Sequence, residues 1–131
     1  IRGPIVPFLK MLQKYPEYEQ EVKVPEKVWP LRIWYMYEQD VCTLIDVNEQ
    51  ERKVKIRNYT DKIMFRAFGT IDDPDYNDYL EFLESRCFPE SRDKMKLILK
   101  DLGLPFYDPI MIIEKTAGRM AEDDFWIRIE R

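Results

Sequence analysis

The 131-residue chain is 45% apolar and 14% aromatic, which excludes a disordered tail because enough apolar surface is present to offset the entropy of ordering. Its 21 basic and 25 acidic side chains leave a net charge of -4, so a general attraction to phosphates is not the starting expectation. The chain has no histidine, which removes the commonest general base, the usual nitrogen ligand of zinc and every Ser-His or Cys-His nucleophile pair.

Residues 1 to 30 carry five of the nine prolines, and that density limits regular structure to short pieces. Within this arm "PFLKMLQKY" allows about two helical turns with Phe8, Leu9 and Leu12 on one side. "VKVPEKVWP" reads as extended chain, since its prolines cannot donate to a central sheet.

"LRIWYMYEQDVCTLIDV" is rich in aromatic and β-branched residues and predicts one or two strands. Leu31, Ile33, Tyr35 and Tyr37 fall on one face, Trp34 and Met36 on the other. Both faces are apolar, as in a strand covered on both sides. "NEQER" supplies a polar turn from Asn48, and "KVKIRNY" alternates Val54 and Ile56 inward with Lys53, Lys55 and Arg57 outward. A hairpin over about 41–59 is the simplest account.

From Thr60 the period becomes helical. Thr60 or Asp61 is placed to cap a short helix "KIMFRAF" ending at Gly69. In "DDPDYNDYLEFLESRC" Asp73 is the expected N-cap and Pro74 the first helical residue, with Tyr76, Tyr79, Leu80 and Leu83 as the apolar stripe. "PESRDKMKLILKDLG" predicts a helix with Met95, Ile98, Leu99 and Leu102 inward and Gly103 as its stop. In "YDPIMIIEKTAG" Asp108 caps, Pro109 opens, Ile112 and Ile113 pack and Gly118 closes. "DFWIRIE" is a last strand, with Phe125, Ile127 and Ile129 alternating against Trp126, Arg128 and Glu130, and it is expected to return to the hairpin. The expected fold is one α+β domain over 1–131, a small antiparallel sheet with three to four short helices.

The four glycines, at positions 3, 69, 103 and 118, are too far apart for a phosphate loop or a dinucleotide fingerprint. The acids Asp72, Asp73, Asp75, Asp78, Glu81 and Glu84 crowd one helix start, where capping competes with a metal or a cationic partner as their explanation. Glu122, Asp123 and Asp124 precede the last strand and read as turn chemistry. Cys42 and Cys87 are too few for a disulfide scaffold and read as buried thiols of a cytoplasmic protein. No apolar run approaches the ~20 residues that cross a bilayer. Cofactor and metal are expected to be absent, and an enzyme is not expected.

Two surface readings remain. Trp34, Tyr35 and Tyr37, with Arg86 and Arg92, are candidates for a face that binds another protein. Arg52, Lys53, Lys55 and Arg57, together with basic residues of the middle helices, form a candidate nucleic-acid face. Self-association through an exposed sheet edge is a further expectation, and a carboxylate-metal phosphoesterase at the acidic helix start is a third class.

The second half, "FLESRCFPESRDKMKLILKDLGL" followed by "IIEKTAGRMAEDDFWIRIE", resembles a short module that precedes HipA-like kinases in Gram-positive gut bacteria and their mobile elements. The positions that carry the likeness are Arg86, Pro89, Arg92, Leu102 with Gly103, and Asp124 with Phe125 and Trp126. The resemblance spans about 50 residues and implies a partner-facing or positioning module; the expected function is a protein-binding inhibitor, adaptor or regulator encoded by a phage or mobile element. Kinase motifs are not among the matched residues. The same positions suggest an ion pair, such as Arg92 with Asp124, tying the helices to the last strand.

Overall fold

The computed structural model describes residues 24–131. The expected helix within the proline-rich arm, around residues 7–15, lies outside them. Residues 24–28 are without helix or strand.

Four antiparallel strands form the sheet: β1 (Leu31–Tyr37), β2 (Asp40–Asn48), β3 (Lys53–Asn58) and β4 (Phe125–Glu130), in the order β3-β2-β1-β4. The aromatic stretch is therefore two strands, folded back through Glu38 and Gln39 with Glu38 at φ 53°. β4 returns to pair with β1, not with the β2–β3 hairpin, and this places β1 in the sheet interior. The central position accounts for a sequence apolar on both sides.

Two layers follow from the period of two. Leu31, Ile33 and Tyr35 join Ile45, Val47, Ile127 and the helices in the main core. Trp34 and Met36 join Val41 and Leu44 in a second, smaller cluster on the opposite face, with Trp126 against it. The α+β class and the inward and outward residues of β3 and β4 agree with the sequence pattern.

Among the described residues three α-helices, α1 (Tyr76–Ser85), α2 (Met95–Leu102) and α3 (Pro109–Thr116), accompany the sheet. α1 starts later than expected. Its N-cap is Asp75, whose side chain accepts from the Asp78 N–H at 2.8 Å while Asp78 accepts from the Asp75 N–H at 2.9 Å. A reciprocal capping box needs an acid three residues on, and Asp73 has Tyr76 there, so Asp75 wins. The stripe is corrected too: Phe82 is buried beside Tyr79 and Leu83, whereas Leu80 is exposed.

"KIMFRAF" yields only a 3-10 turn at Ile63–Phe65. The Ala67 N–H, which an α-helix would direct to Ile63, donates instead to the Thr43 hydroxyl at 3.0 Å. That hydroxyl donates in turn to Asn58, so a buried threonine on β2 takes the bond that helix continuation needs. Gly69 follows at φ +57°.

α2 begins at Met95, several residues after Arg92, and ends in a left-handed Gly103 at φ 75°. α3 is capped by Asp108 and opened by Pro109 as the sequence predicts. Its Ile112 and Ile113 are fully buried, each contributing about 1.5–3 kcal/mol. Ala117 is the left-handed C-cap at φ 58°. Gly118 follows, also left-handed, and a Cβ there would come within 3.0 Å of Ile127, so this position excludes side chains twice over.

Candidate functional site

The two expected surfaces fare differently. Trp34, Tyr35 and Arg86 are buried within the chain at 1%, 7% and 6% exposure, a correction to their reading as a face open to another protein. Tyr35 stacks on Phe125 at 4.8 Å and meets Phe82 edge-on, so a strand-spaced aromatic run has become core. Tyr37 is half-buried against Phe65 and Phe125. Arg92 alone of that group is exposed, its guanidinium over Phe88.

Arg86 lies immediately after α1 and points inward. Its Nε donates to the Gly118 carbonyl at 3.0 Å, Nη1 and Nη2 grip both oxygens of Asp123 at 2.9 and 3.0 Å, and Nη2 also reaches the Phe125 carbonyl. The expected tie between helices and last strand therefore exists, but between Arg86 and Asp123 instead of Arg92 and Asp124. The two-nitrogen fork suits a buried carboxylate pair. These hydrogen bonds hold the Asp123 carboxyl below its usual range, against the opposing effect of burial. Asp123 also accepts from the Phe125 N–H, and the Asp124 carbonyl accepts from Glu38. Asp123 and Asp124 thus both serve the strand entry.

A second buried arginine was not singled out in the sequence. Arg32 on β1 holds Asp46 of β2 at 2.6 and 3.1 Å and donates to the Pro25 carbonyl. Strand register sets them opposite each other. Lys55, Asp46, Arg32 and Glu130 are successive cross-strand neighbours, an alternating row of charges over all four strands. Glu130 accepts from the Trp34 indole at 3.0 Å.

The basic residues of the hairpin remain outside. Lys53, Lys55 and Arg57 are exposed on β3, an edge strand, and Arg52 is exposed in the turn before it at φ 55°. Lys53 pairs with Glu51 at 3.2 Å, Lys55 lies over the Trp29 ring and Arg52 over Tyr76. The outer side of β3 pairs with no other strand among the described residues. The other edge differs, because the Ile127 N–H of β4 donates to the Ala117 carbonyl at 2.7 Å, so the end of α3 blocks it.

Two clefts flank the corner at Cys87 and Pro89. One, of about 520 Å³, is lined by Arg86, Arg92 and Arg119, with Phe88, Ile112 and Met120 among its apolar residues. Its neighbour, of about 600 Å³, has Glu81, Glu84, Glu90 and Tyr107 in its wall and no basic residue among the described ones. Burial pushes the Cys87 thiol up to about 12 and the Cys42 thiol up to about 11. Both are free and protonated at neutral pH, which opposes thiolate chemistry.

At the acidic helix start, Asp75 and Asp78 are engaged in the capping box, and no group of three His, Cys, Asp or Glu residues is arranged to hold a metal among the described residues. None of the described helices is long and apolar enough to cross a membrane. No family model, curated protein or solved structure matches the chain.

Proposed function

We propose that the chain is a non-enzymatic protein-binding module of the cytoplasm that accepts an extended, acidic segment of another protein along the outer edge of β3. The observation that carries this reading is an edge strand with its outer side unpaired among the described residues and three exposed cations, Lys53, Lys55 and Arg57, on one face. An added strand would gain main-chain hydrogen bonds along the edge, while its alternate side chains meet the two faces of β3. Acids would oppose the cations. Apolar residues would oppose half-buried Val54 and Ile56. Antiparallel pairing with a second copy would set cation against cation, so a partner of opposite charge fits better than a homodimer.

The missing histidine supports a binding role over catalysis. A nucleic-acid backbone is the weaker fit, because Asp46 stands beside Lys55 across the sheet and Glu51 already pairs with Lys53, placing acids along the stripe a phosphate chain would follow. The likeness of the second half to the module before HipA-like kinases supports a regulatory setting, as inhibitor or adaptor, within a mobile element.

Calorimetry with a peptide alternating Glu with Val tests the reading. Binding on the order of micromolar Kd that weakens with salt and is lost in the Lys53→Glu, Lys55→Glu, Arg57→Glu triple variant is expected. No heat from the peptide, with a duplex DNA bound at low salt instead, would select the nucleic-acid face.

A further inference from the structure

We infer that the added strand runs antiparallel to β3, in the register that sets an acid of the partner opposite each of Lys53, Lys55 and Arg57. The inference rests on the docking reading above and adds the direction, register and sequence pattern of what docks.

The hydrogen-bond parity of the hairpin decides which main-chain groups of β3 face outward. Tyr59 donates its N–H to the Cys42 carbonyl at 2.9 Å. These two residues continue the β2–β3 register, in which Leu44 meets Arg57, Asp46 meets Lys55 and Asn48 meets Lys53. Hydrogen-bonded pairs recur at every second position of an antiparallel ladder. The N–H and C=O of Lys53, Lys55 and Arg57 are therefore turned toward β2, and those of Val54, Ile56 and Asn58 toward the outer edge. No turn or loop backbone bonds to Val54, Ile56 or Asn58 among the described residues.

Each kind of position makes its own demand on a partner. A residue set opposite Val54, Ile56 or Asn58 exchanges two main-chain bonds with it and must keep its N–H, which excludes proline there. A residue set opposite Lys53, Lys55 or Arg57 makes no main-chain bond to β3, but its Cα comes to about 4.5 Å, the closer of the two spacings. The three cations thus stand where cross-strand side chains meet most closely, and opposite charges stabilise such a pair. Lys55 and Arg57 have no ion pair among the described residues, and the Glu51 that meets Lys53 is exposed. A parallel strand has evenly spaced, slanted bonds and lacks these close positions. The pairs within the sheet are all antiparallel among the described residues. From its N-terminus the partner segment reads x-acid-x-acid-x-acid, running from Asn58 back to Lys53. Apolar x residues would lie beside half-buried Val54 and Ile56. A slip of one residue would turn every acid to that apolar face.

Backbone N-methylation tests the direction. In an antiparallel pair the x residues bond to β3, whereas in a parallel pair the acids between them do. The experiment is calorimetry with the acetylated, amidated peptide Thr-Glu-Val-Glu-Val-Glu, with a form N-methylated at both valines, and with a form N-methylated at the first two glutamates. Hydrogen exchange is followed in the complex with the unmethylated peptide. The valine-methylated form should bind about tenfold more weakly or worse, and the glutamate-methylated form within about threefold of the parent. The Val54 and Ile56 amides should gain protection. Loss confined to the glutamate-methylated form would overturn the direction while the docking reading stands. Equal affinity of all three peptides, or no protection at Val54 and Ile56, would show attraction by charge alone and overturn the inference. Failure of the unmethylated peptide to bind would overturn the docking reading itself, and the register with it.

Discussion

Arg32 and Arg86 are both buried, and each grips an aspartate with two nitrogens, yet they stand on opposite sides of the sheet and do different work. Arg32 and Asp46 are direct cross-strand neighbours on adjacent strands, and the remaining donor fastens the entering chain at Pro25. Arg86 and Asp123 are 37 residues apart, and the guanidinium gathers the end of α1, the turn after α3 and the start of β4 at one point. The first pair is built by register. The second exists only once three elements have converged, so it reports on tertiary assembly where the first reports on the sheet. In both pairs the arginine is the more deeply buried partner, with side-chain exposures of 1% against 16% and 7% against 31%. Removing the acid therefore strands a cation that cannot deprotonate.

That asymmetry ranks the expected losses. Asp46→Ala should cost about 3–5 kcal/mol in urea unfolding, because among the described residues the stranded Arg32 keeps one hydrogen-bond acceptor, the Pro25 carbonyl, beside its cross-strand neighbour Glu130. Asp123→Ala should cost less, about 2–3 kcal/mol, since Arg86 keeps the Gly118 and Phe125 carbonyls. A reversed order would break the comparison.

Gly118→Ala should destabilise by about 1–2 kcal/mol, through the left-handed backbone and the 3.0 Å approach to Ile127. It should also weaken the Arg86 site alone, seen as faster hydrogen exchange at the Ile127 amide with β2–β3 exchange unchanged.

The pH dependence follows from Asp123, whose pKa is lowered in the fold mainly by its hydrogen bonds from Arg86. A carboxyl depressed in the native state contributes stability that is present in full above its unfolded pKa, ~3.9, and fades as pH falls through the lower folded value. The urea-midpoint difference between the native chain and Asp123→Asn should thus shrink between pH 6 and pH 3. A difference that grows on acidification would contradict the pairing. Lys53→Ala should change stability least, by about 0.5 kcal/mol or less, because the pair with Glu51 is more than half exposed at both ends. Any larger loss would show β3 to be tied down more firmly than an open edge.

The strands and two of the helix ends were legible because they depend on local patterns. Alternation in "KVKIRNY" and "DFWIRIE", the Asp108-Pro109 start and the Gly103 stop each encode their conformation within a few residues. Where the reading slipped, a distant group had intervened. Ala67 gave its N–H to Thr43 on β2 and cut a helix to a 3-10 turn. The candidate contact residues Trp34, Tyr35 and Arg86 carried the right chemistry for a surface, but the return of β4 beside β1 and the packing of α1 drew Tyr35 and Arg86 into the interior. Arg32 had a usable signal that was passed over: Leu31↔Val47 pairing would have set it opposite Asp46.

The sequence by itself determined an α+β chain with a basic alternating strand and without imidazole chemistry, since period, turn residues and composition are local properties of the chain. Only the tertiary structure decided which charges are spent inside and which stay free. Two arginines of identical chemistry, Arg86 and Arg92, lie six positions apart; one is enclosed by the end of α3 and the start of β4, and the other faces the solvent. Enclosure depends on what other segments bring to the same point, and a charge can be buried only where a partner arrives to meet it.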